Sequence, residues 1–276
     1  MRFSIITPSF RNSDWLRLCI ASVADQELDL EHIVQDSCSD DGTLEWLPSD
    51  ARVKAFVEKD KGMYDAINRG LRRASGDILA YLNCDEQYLP RALRAVADFF
   101  DAHAEVDVVF ANTVAVDANG NSLFHRKALV PRLAHTAVCP LSTLTCATFF
   151  RRRIIDSGRH FFDPEWRMVG DSAWILGLLK DKVCMAVLPI FTSAFTVTGR
   201  NLSLNPKALE EARTFRRSAP AWMRLARPLI LFQHRLRRLA GGVYSQEPFT
   251  YEIYTEKSPN RRAVFHVAHP TFRWKW

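Results

Sequence analysis

Apolar positions in the first 112 residues alternate between two spacings. The runs Phe3–Thr7, His32–Val34, Val53–Val57, Ile78–Leu82 and Val106–Phe110 are short, rich in branched and aromatic side chains, and read as five strands. Between them the spacing lengthens to three and four. Trp15–Ala24 carries Leu16, Ile20 and Val23 on one helical face, with Asp14 placed to cap it. Leu44–Leu47 starts a short helix stopped by Pro48. Met63–Ala74 aligns Ile67 with Leu71 and is closed by Gly76, and Pro90 opens a helix to about Phe100. This alternation predicts an α/β domain on a mostly parallel central sheet flanked by helices. Ligands of such sheets bind beyond the carboxyl ends of the strands. That rule gathers Thr7, Ser9, Asp36, Asn83 and Asp85 in one place.

Past residue 112 the pattern changes. Val114–Phe124 predicts a hairpin about Asn119-Gly120. Phe149–Asp156 and Ser172–Lys180 predict helices, and Cys184–Val197 a strand. Residues 1–205 read as one domain. In residues 206–276, Leu225, Leu229, Phe232, Leu236 and Leu239 share one helical face, and Pro228 is tolerated in the first turn of a helix ended by Gly241-Gly242.

Charge gives that extension a distinct character. Residues 207–240 hold nine Lys/Arg against Glu210 and Glu211, a net +7 in a chain whose total is +6. A basic amphipathic helix can lie on an anionic membrane surface, or it can pack its leucines on the domain and solvate its arginines. The cationic residues are confined to one segment without a binding motif, so nucleic acid is not an expected partner. Six scattered cysteines show no metal-ligand spacing and read as mostly buried, reduced thiols of a cytoplasmic protein. Neither a signal sequence nor an apolar run of membrane-spanning length is expected.

Four segments carry candidate chemistry. In Tyr81-Leu82-Asn83-Cys84-Asp85-Glu86 an apolar strand runs into carboxylates, which suits a hard divalent cation that also holds phosphate oxygens. A solvated, helix-capping turn is the alternative. Asp36, ahead of Asp40 and Asp41, can accept hydrogen bonds from a base or ribose, while Asp40 or Asp41 caps the next helix. Asp65 and Asn68 share a helix face, at a site rim or in a structural hydrogen bond. Asp171 follows Gly170 at a helix start, as an N-cap or as a general base. No phosphate-binding P-loop, dinucleotide glycine fingerprint or hydrolase nucleophile elbow is present.

In this order the segments resemble the family 2 glycosyltransferases of the GT-A (Rossmann-like) fold. The resemblance runs through Ser4–Phe10, Asp36–Thr43, Asp60-Lys61-Gly62-Met63-Tyr64-Asp65-Ala66-Ile67-Asn68-Arg69-Gly70, Ser75–Glu86, Phe149–Arg152 and Gly170-Asp171, and covers about residues 2–205. It implies inverting sugar transfer from a nucleotide-diphosphate donor, a UDP-sugar foremost, to a hydroxyl of a glycan or lipid-linked acceptor in surface polysaccharide synthesis. It implies a divalent metal, Mn or Mg, on Asp85 with Glu86 beside it. A nucleotide pocket would be lined by Thr7, Ser9, Asp36, Asp65, Asn68 and Asn83, with Asp171 as the catalytic base. The implied location is cytoplasmic, peripheral to the membrane where the arginine-rich helix docks.

The sequence also departs from the family pattern. Asn83 replaces the first Asp of Asp-x-Asp, Ser37 and Cys38 replace two glycines, and Thr145-Cys146 replaces His-Gln. A catalytically silent protein that binds a nucleotide sugar or a partner is the second reading.

Overall fold

The computed structural model describes residues 1–199, 201 and 206–273. Its first half follows the predicted alternation: β1 (Phe3–Ser9), α1 (Ser13–Ala24), β2 (Leu30–Asp36), α2 (Thr43–Trp46), β3 (Lys54–Val57), α3 (Met63–Arg73) and β4 (Ile78–Tyr81). These four strands pair in parallel in the order β3-β2-β1-β4. Successive residues of a strand point to opposite faces. Phe3 and Ile5 therefore enter one core with Cys19 and Val23 of α1, and Ile6 enters the other with Ile67 and Leu71 of α3. Each fully buried side chain of this kind contributes about 1.5–3 kcal/mol. Gly70 permits the close approach of α3 to β1, because a Cβ there would lie 2.5 Å from Cγ2 of Ile6.

Beyond β4 the sheet is mixed rather than parallel. β5 (Glu86–Tyr88) and α4 (Ala92–Ala102) lead into the long β6 (Val108–Asp117), which turns through Gly120 at φ +90° into β7 (Ser122–Arg126), the predicted hairpin. β8 (Thr148–Arg151) runs antiparallel between β4 and β6. β9 (Met185–Val197) lies parallel to β6 and antiparallel to β5. The expected helix at Phe149–Asp156 is thus strand β8 followed by the single turn α6 (Arg153–Asp156). Phe149 and Phe150 bury on opposite faces of the sheet, and such a continuous apolar run has no period with which to separate strand from helix. α5 (Leu133–Val138) and α7 (Gly170–Lys180) complete this half.

The C-terminal residues are helical at first, in α8 (Pro206–Arg217), α9 (Ala221–Leu225) and α10 (Arg227–Ala240). Helix then gives way to an antiparallel hairpin, β10 (Phe249–Thr255) and β11 (Ser258–Val267), which the helical expectation missed. Tyr251 and Ile253 bury against Leu89, Val114 and Val116. Arg262 donates to both carboxylate oxygens of Asp25 at 2.6 Å and to the Tyr88 carbonyl at 2.9 Å. Met223, Ile230 and Leu231 pack on Leu133, Ala137 and Val138 of α5. The face with Leu225, Leu229, Phe232, Leu236 and Leu239 stays 50–83% exposed. The alternative in which that stripe packs on the domain is therefore not what the structure contains.

Cys19, Cys84, Cys139 and Cys146 are buried, while Cys38 and Cys184 are exposed, and all six are free thiols. Among the described residues no helix is long and apolar enough to cross a membrane.

Candidate active site

The ends of β1 and β2 meet at a loop organised by Asp36. This buried carboxylate accepts hydrogen bonds from the Ser9 hydroxyl at 2.9 Å, the Ser39 hydroxyl at 2.8 Å and the Ser39 amide at 2.7 Å. Asp36 and Ser9 thus sit together at the expected strand end, but their side chains are engaged with the protein rather than held open for a base. Thr7 turns inward and lies 2.8 Å from His32 Nε2. Burial drives the pKa of His32 down to about 3, so this imidazole is neutral. Thr7 is therefore a core contact, which corrects the expectation that its side chain lines the pocket.

Asp41 accepts from the Ser13 amide and from both the amide and hydroxyl of Thr43, capping α1 and α2 together. Asp40 instead pairs with Arg11 through two contacts of 2.5 and 2.7 Å. Cys38, at a position where the family pattern has glycine, has φ +59°, in the left-handed region that costs an L-residue roughly 1–2 kcal/mol.

Helix α3 is a positioning device. Asn68 donates to the Phe162 carbonyl at 2.6 Å and accepts from the Phe162 amide at 2.9 Å. Both halves of its amide are occupied, so the structure selects the structural role and removes Asn68 from the nucleotide set. One turn earlier, Tyr64 stacks on Phe162 at 5.4 Å, and its hydroxyl accepts the Asp171 amide at 3.1 Å. Gly170 makes room for that ring, since a Cβ there would come within 2.5 Å of it. Asp65, on the outer side, accepts from the Lys61 amide and pairs with Arg69 at 2.9 Å. These partners outweigh its partial desolvation and hold its pKa below the usual range.

At the end of β4, Asp85 and Glu86 part company. Glu86 enters β5, fully buried, and accepts from the Asn83 amide at 2.8 Å. Burial, then the charge of Asp85, pushes its pKa up. Glu86, expected on the metal beside Asp85, is thus placed in the core. Asp85 stays half-buried and accepts from Asn201 Nδ2 at 3.1 Å, and burial raises its pKa to about 6. Asn83 Oδ1 is buried without a hydrogen-bond partner. One carboxylate beside one orphaned amide oxygen fits a hard cation that draws its remaining ligands from phosphate and water. Among the described residues no cluster of three or more His, Cys, Asp or Glu could hold a metal without such help. Leu202 and Ser203, next to Asn201 in the loosely matching segment, lie outside the described residues.

Asp171 opens α7 and faces a cavity of about 10 Å³, room for roughly one water. Tyr81, Thr143, Thr145, Phe162 and Trp174 line it with Asp171, and the Thr143 hydroxyl has no partner. Burial raises the Asp171 carboxyl to about 6, against hydrogen bonds from Ser172 that lower it. Tyr81 ties the two halves of the site together, because it borders this cavity from the strand that leads to Asn83 and Asp85. Thr145 lines the cavity, whereas Cys146 turns into the core beside Thr113.

The segment before α7 is clamped from the C-terminal extension. Glu211 of α8 accepts the amides of Arg167 at 2.6 Å, Met168 at 2.6 Å and Val169 at 2.9 Å, and Phe215 packs edge-on against Trp166. Sequence reasoning passed over both Tyr64 and Glu211. The i, i+4 spacing of Tyr64 and Asn68 was a usable signal, as was a pair of acids isolated in a cationic segment.

The Glycosyl transferase family 2 profile matches residues 4–170, more than half of the chain, and the chain belongs to that family. It is 33% identical over 124 residues to a PGL/p-HBAD biosynthesis glycosyltransferase of Mycobacterium bovis, covering 42% of this chain and 48% of that one. To the poly(ribitol-phosphate) β-N-acetylglucosaminyltransferase TarS of Staphylococcus aureus it is 23% identical over 186 residues, 64% of this chain and 32% of that one. The chain thus spans less than half the length of these relatives. Residues 1–349 of TarS, in complex with UDP-GlcNAc, superpose with a TM-score of 0.62 at 20% identity, over 78% of this chain and 65% of that one. A mannosyltransferase of Pyrobaculum calidifontis, in complex with GDP-Man and Mn2+, superposes with a TM-score of 0.53 at 15% identity, over 86% and 80%. The fold is that of the GT-A glycosyltransferases.

Proposed function

We propose that this chain is an inverting glycosyltransferase. It moves a sugar from a nucleotide-diphosphate donor, a UDP-sugar, to a hydroxyl of a glycan or lipid-linked acceptor of the cell surface. The observation that carries the reading is the pairing of a half-buried carboxylate, Asp171, at a threonine-lined cavity with the Asn83–Asp85 strand end across Tyr81. In this mechanism the Asp171 carboxylate takes the proton of the acceptor hydroxyl as the oxygen attacks the sugar. Thr143 and Thr145 orient that hydroxyl, and the Tyr64 and Glu211 contacts fix where α7 begins. Asp85 and Asn83 Oδ1 would hold a divalent cation, Mn or Mg, which neutralises the leaving diphosphate when bound. The Asp36 loop, with Ser9, shapes the floor on which the nucleotide rests. The relatives support the donor and acceptor classes: one is a glycosyltransferase of PGL/p-HBAD biosynthesis, another a poly(ribitol-phosphate) β-N-acetylglucosaminyltransferase, and a TarS structure holds UDP-GlcNAc.

The test is a calorimetric panel of UDP, GDP, CDP and dTDP with and without Mn²⁺. Metal-dependent binding of one nucleotide is expected, UDP first. No binding by any of the four would overturn the reading in favour of a silent scaffold.

The exposed stripe along α9 and α10 supports a location on the cytoplasmic face of a membrane. Trp222, Leu225, Leu229 and Phe232 project from a surface that also carries Arg224 and Arg235, the composition of an interfacial helix on anionic lipid. The double substitution Leu229→Glu/Phe232→Glu is expected to weaken flotation with phosphatidylcholine vesicles containing about 30% phosphatidylglycerol by about tenfold or more, with the melting temperature unchanged. Unchanged flotation would sink this placement. A dimer lost in the same variant would assign the stripe to a second copy instead.

A further inference from the structure

Between Arg167 and Ser172 the backbone amides end on side chains. Glu211 of α8 accepts Arg167 on Oε1 at 2.6 Å, and Met168 and Val169 on Oε2 at 2.6 and 2.9 Å. The Asp171 amide donates to the Tyr64 hydroxyl at 3.1 Å, and the Ser172 amide to Asp171 Oδ1 at 2.7 Å. The segment that carries Asp171 is thus held from α3 and from α8. We propose that Glu211 is a positioning residue for Asp171, so that a carboxylate from the C-terminal extension completes the active site.

Amides at the start of a helix have no carbonyl partner within it, and their dipoles add to a partial positive charge. Successive amides converging on one carboxylate make charge-assisted bonds, roughly twice as strong as neutral ones. The fold puts the carboxylate there by packing. Glu211 and Phe215 are four residues apart on one face of α8. Phe215 is buried edge-on against Trp166 at 5.6 Å, and Ala219 and Met223 beyond it pack with Ala137, Val138 and Cys139. Glu210, the neighbouring acid, is exposed.

Position is one consequence and charge is the other. The ionisable groups that face the Asp171 carboxyl are Tyr64 from α3, Tyr81 from β4 and Glu211 from α8. Arg167 turns its guanidinium toward Gly62 instead. Burial pushes both phenols well up, so they stay neutral. A nearby carboxylate disfavours a second one, and Glu211 adds to burial in raising the Asp171 carboxyl. A base with a higher proton affinity drives proton abstraction further. The family profile ends at residue 170, so on this account the matched segment does not contain everything the base needs. The catalytic part of the inference rests on the proposed role of Asp171. The effect of Glu211 on that carboxyl does not.

The test compares Glu211→Gln, Glu211→Asp and Glu210→Gln with the wild type, all in the full chain. The Asp171 titration is followed by NMR of its labelled carboxyl carbon. Release of UDP from UDP-GlcNAc with Mn²⁺, water serving as the acceptor, is followed across pH, with UDP affinity by calorimetry. In Glu211→Gln the Asp171 midpoint is expected to move to lower pH, and the acid limb of the rate with it. The rate should fall about tenfold while UDP affinity stays at the wild-type level. Glu211→Asp draws the charge back by one methylene and should move the midpoint the same way by less. Glu210→Gln should match the wild type throughout. An unmoved midpoint in Glu211→Gln, or an equal shift in Glu210→Gln, would overturn the inference. If the glutamine variant does not fold, an unmoved midpoint in Glu211→Asp does so. Absent UDP release by the wild type would count against the transferase reading, and the Asp171 titration would still decide the role of Glu211.

Discussion

Asp171→Asn is expected to lower kcat by about 10²- to 10⁴-fold while donor binding stays at the wild-type level. The amide keeps the size of the side chain, so the Tyr64 ring against Gly170 and the cavity lining survive the change. What it removes is the ability to accept a proton. The wild-type rate should also have an acid limb. A base works only when deprotonated, and burial places this carboxyl at about 6, so turnover should fall as pH drops below 6 and level off above it. The residual activity of the asparagine variant should lack that limb. Single-turnover rates across pH, with nucleotide affinity measured alongside, check both statements. A variant within about threefold of wild type would remove Asp171 from the chemistry.

Asp85→Ala is expected to weaken metal-dependent nucleotide binding by about 100-fold, the scale at which losing a ligand and its charge is felt. The supporting set here is thin, because the neighbouring oxygen is the neutral amide of Asn83 and Glu86 has turned into β5. Loss of the one available carboxylate should therefore be close to loss of the cation. Chelation of the wild type should reproduce the variant, and chelation of the variant should add little. Glu86→Gln supplies the contrast. It replaces an acid buried in β5 with a group of similar shape, so metal dependence should persist. A metal response lost equally in both variants would return Glu86 to the ligand set.

The parallel half of the sheet was legible because each strand and helix there kept its own period and its own punctuation. Pro and Gly stand at the edges, and one apolar face runs through Ile67 and Leu71. β8 was not, since Phe149-Phe150 are apolar on both faces. The β10–β11 hairpin was hidden by the basic helix ahead of it, although Tyr251 and Ile253 alternate with Thr250, Glu252 and Tyr254 as a half-buried strand should. At the site, residue type revealed which side chains matter but not which way they turn. Asn68 and Tyr64 matter because they pin Phe162 and Asp171, contacts 94 and 107 residues away in sequence. Thr7 is one strand residue whose face could not be assigned without its neighbours, and it faces His32.

Glu211 changes what a shortened form of this protein can teach. The family profile ends at residue 170, and the sequence pattern invites a cut near 205. Such a cut would release three amides in front of α7 along with the exposed apolar stripe. A truncated enzyme that lost activity would leave the cause entangled, because the same cut removes the exposed stripe and the carboxylate that holds the segment before α7. Swapping the extension between relatives meets the same constraint: new surfaces can be grafted beyond α8, provided the graft still brings a carboxylate to that loop.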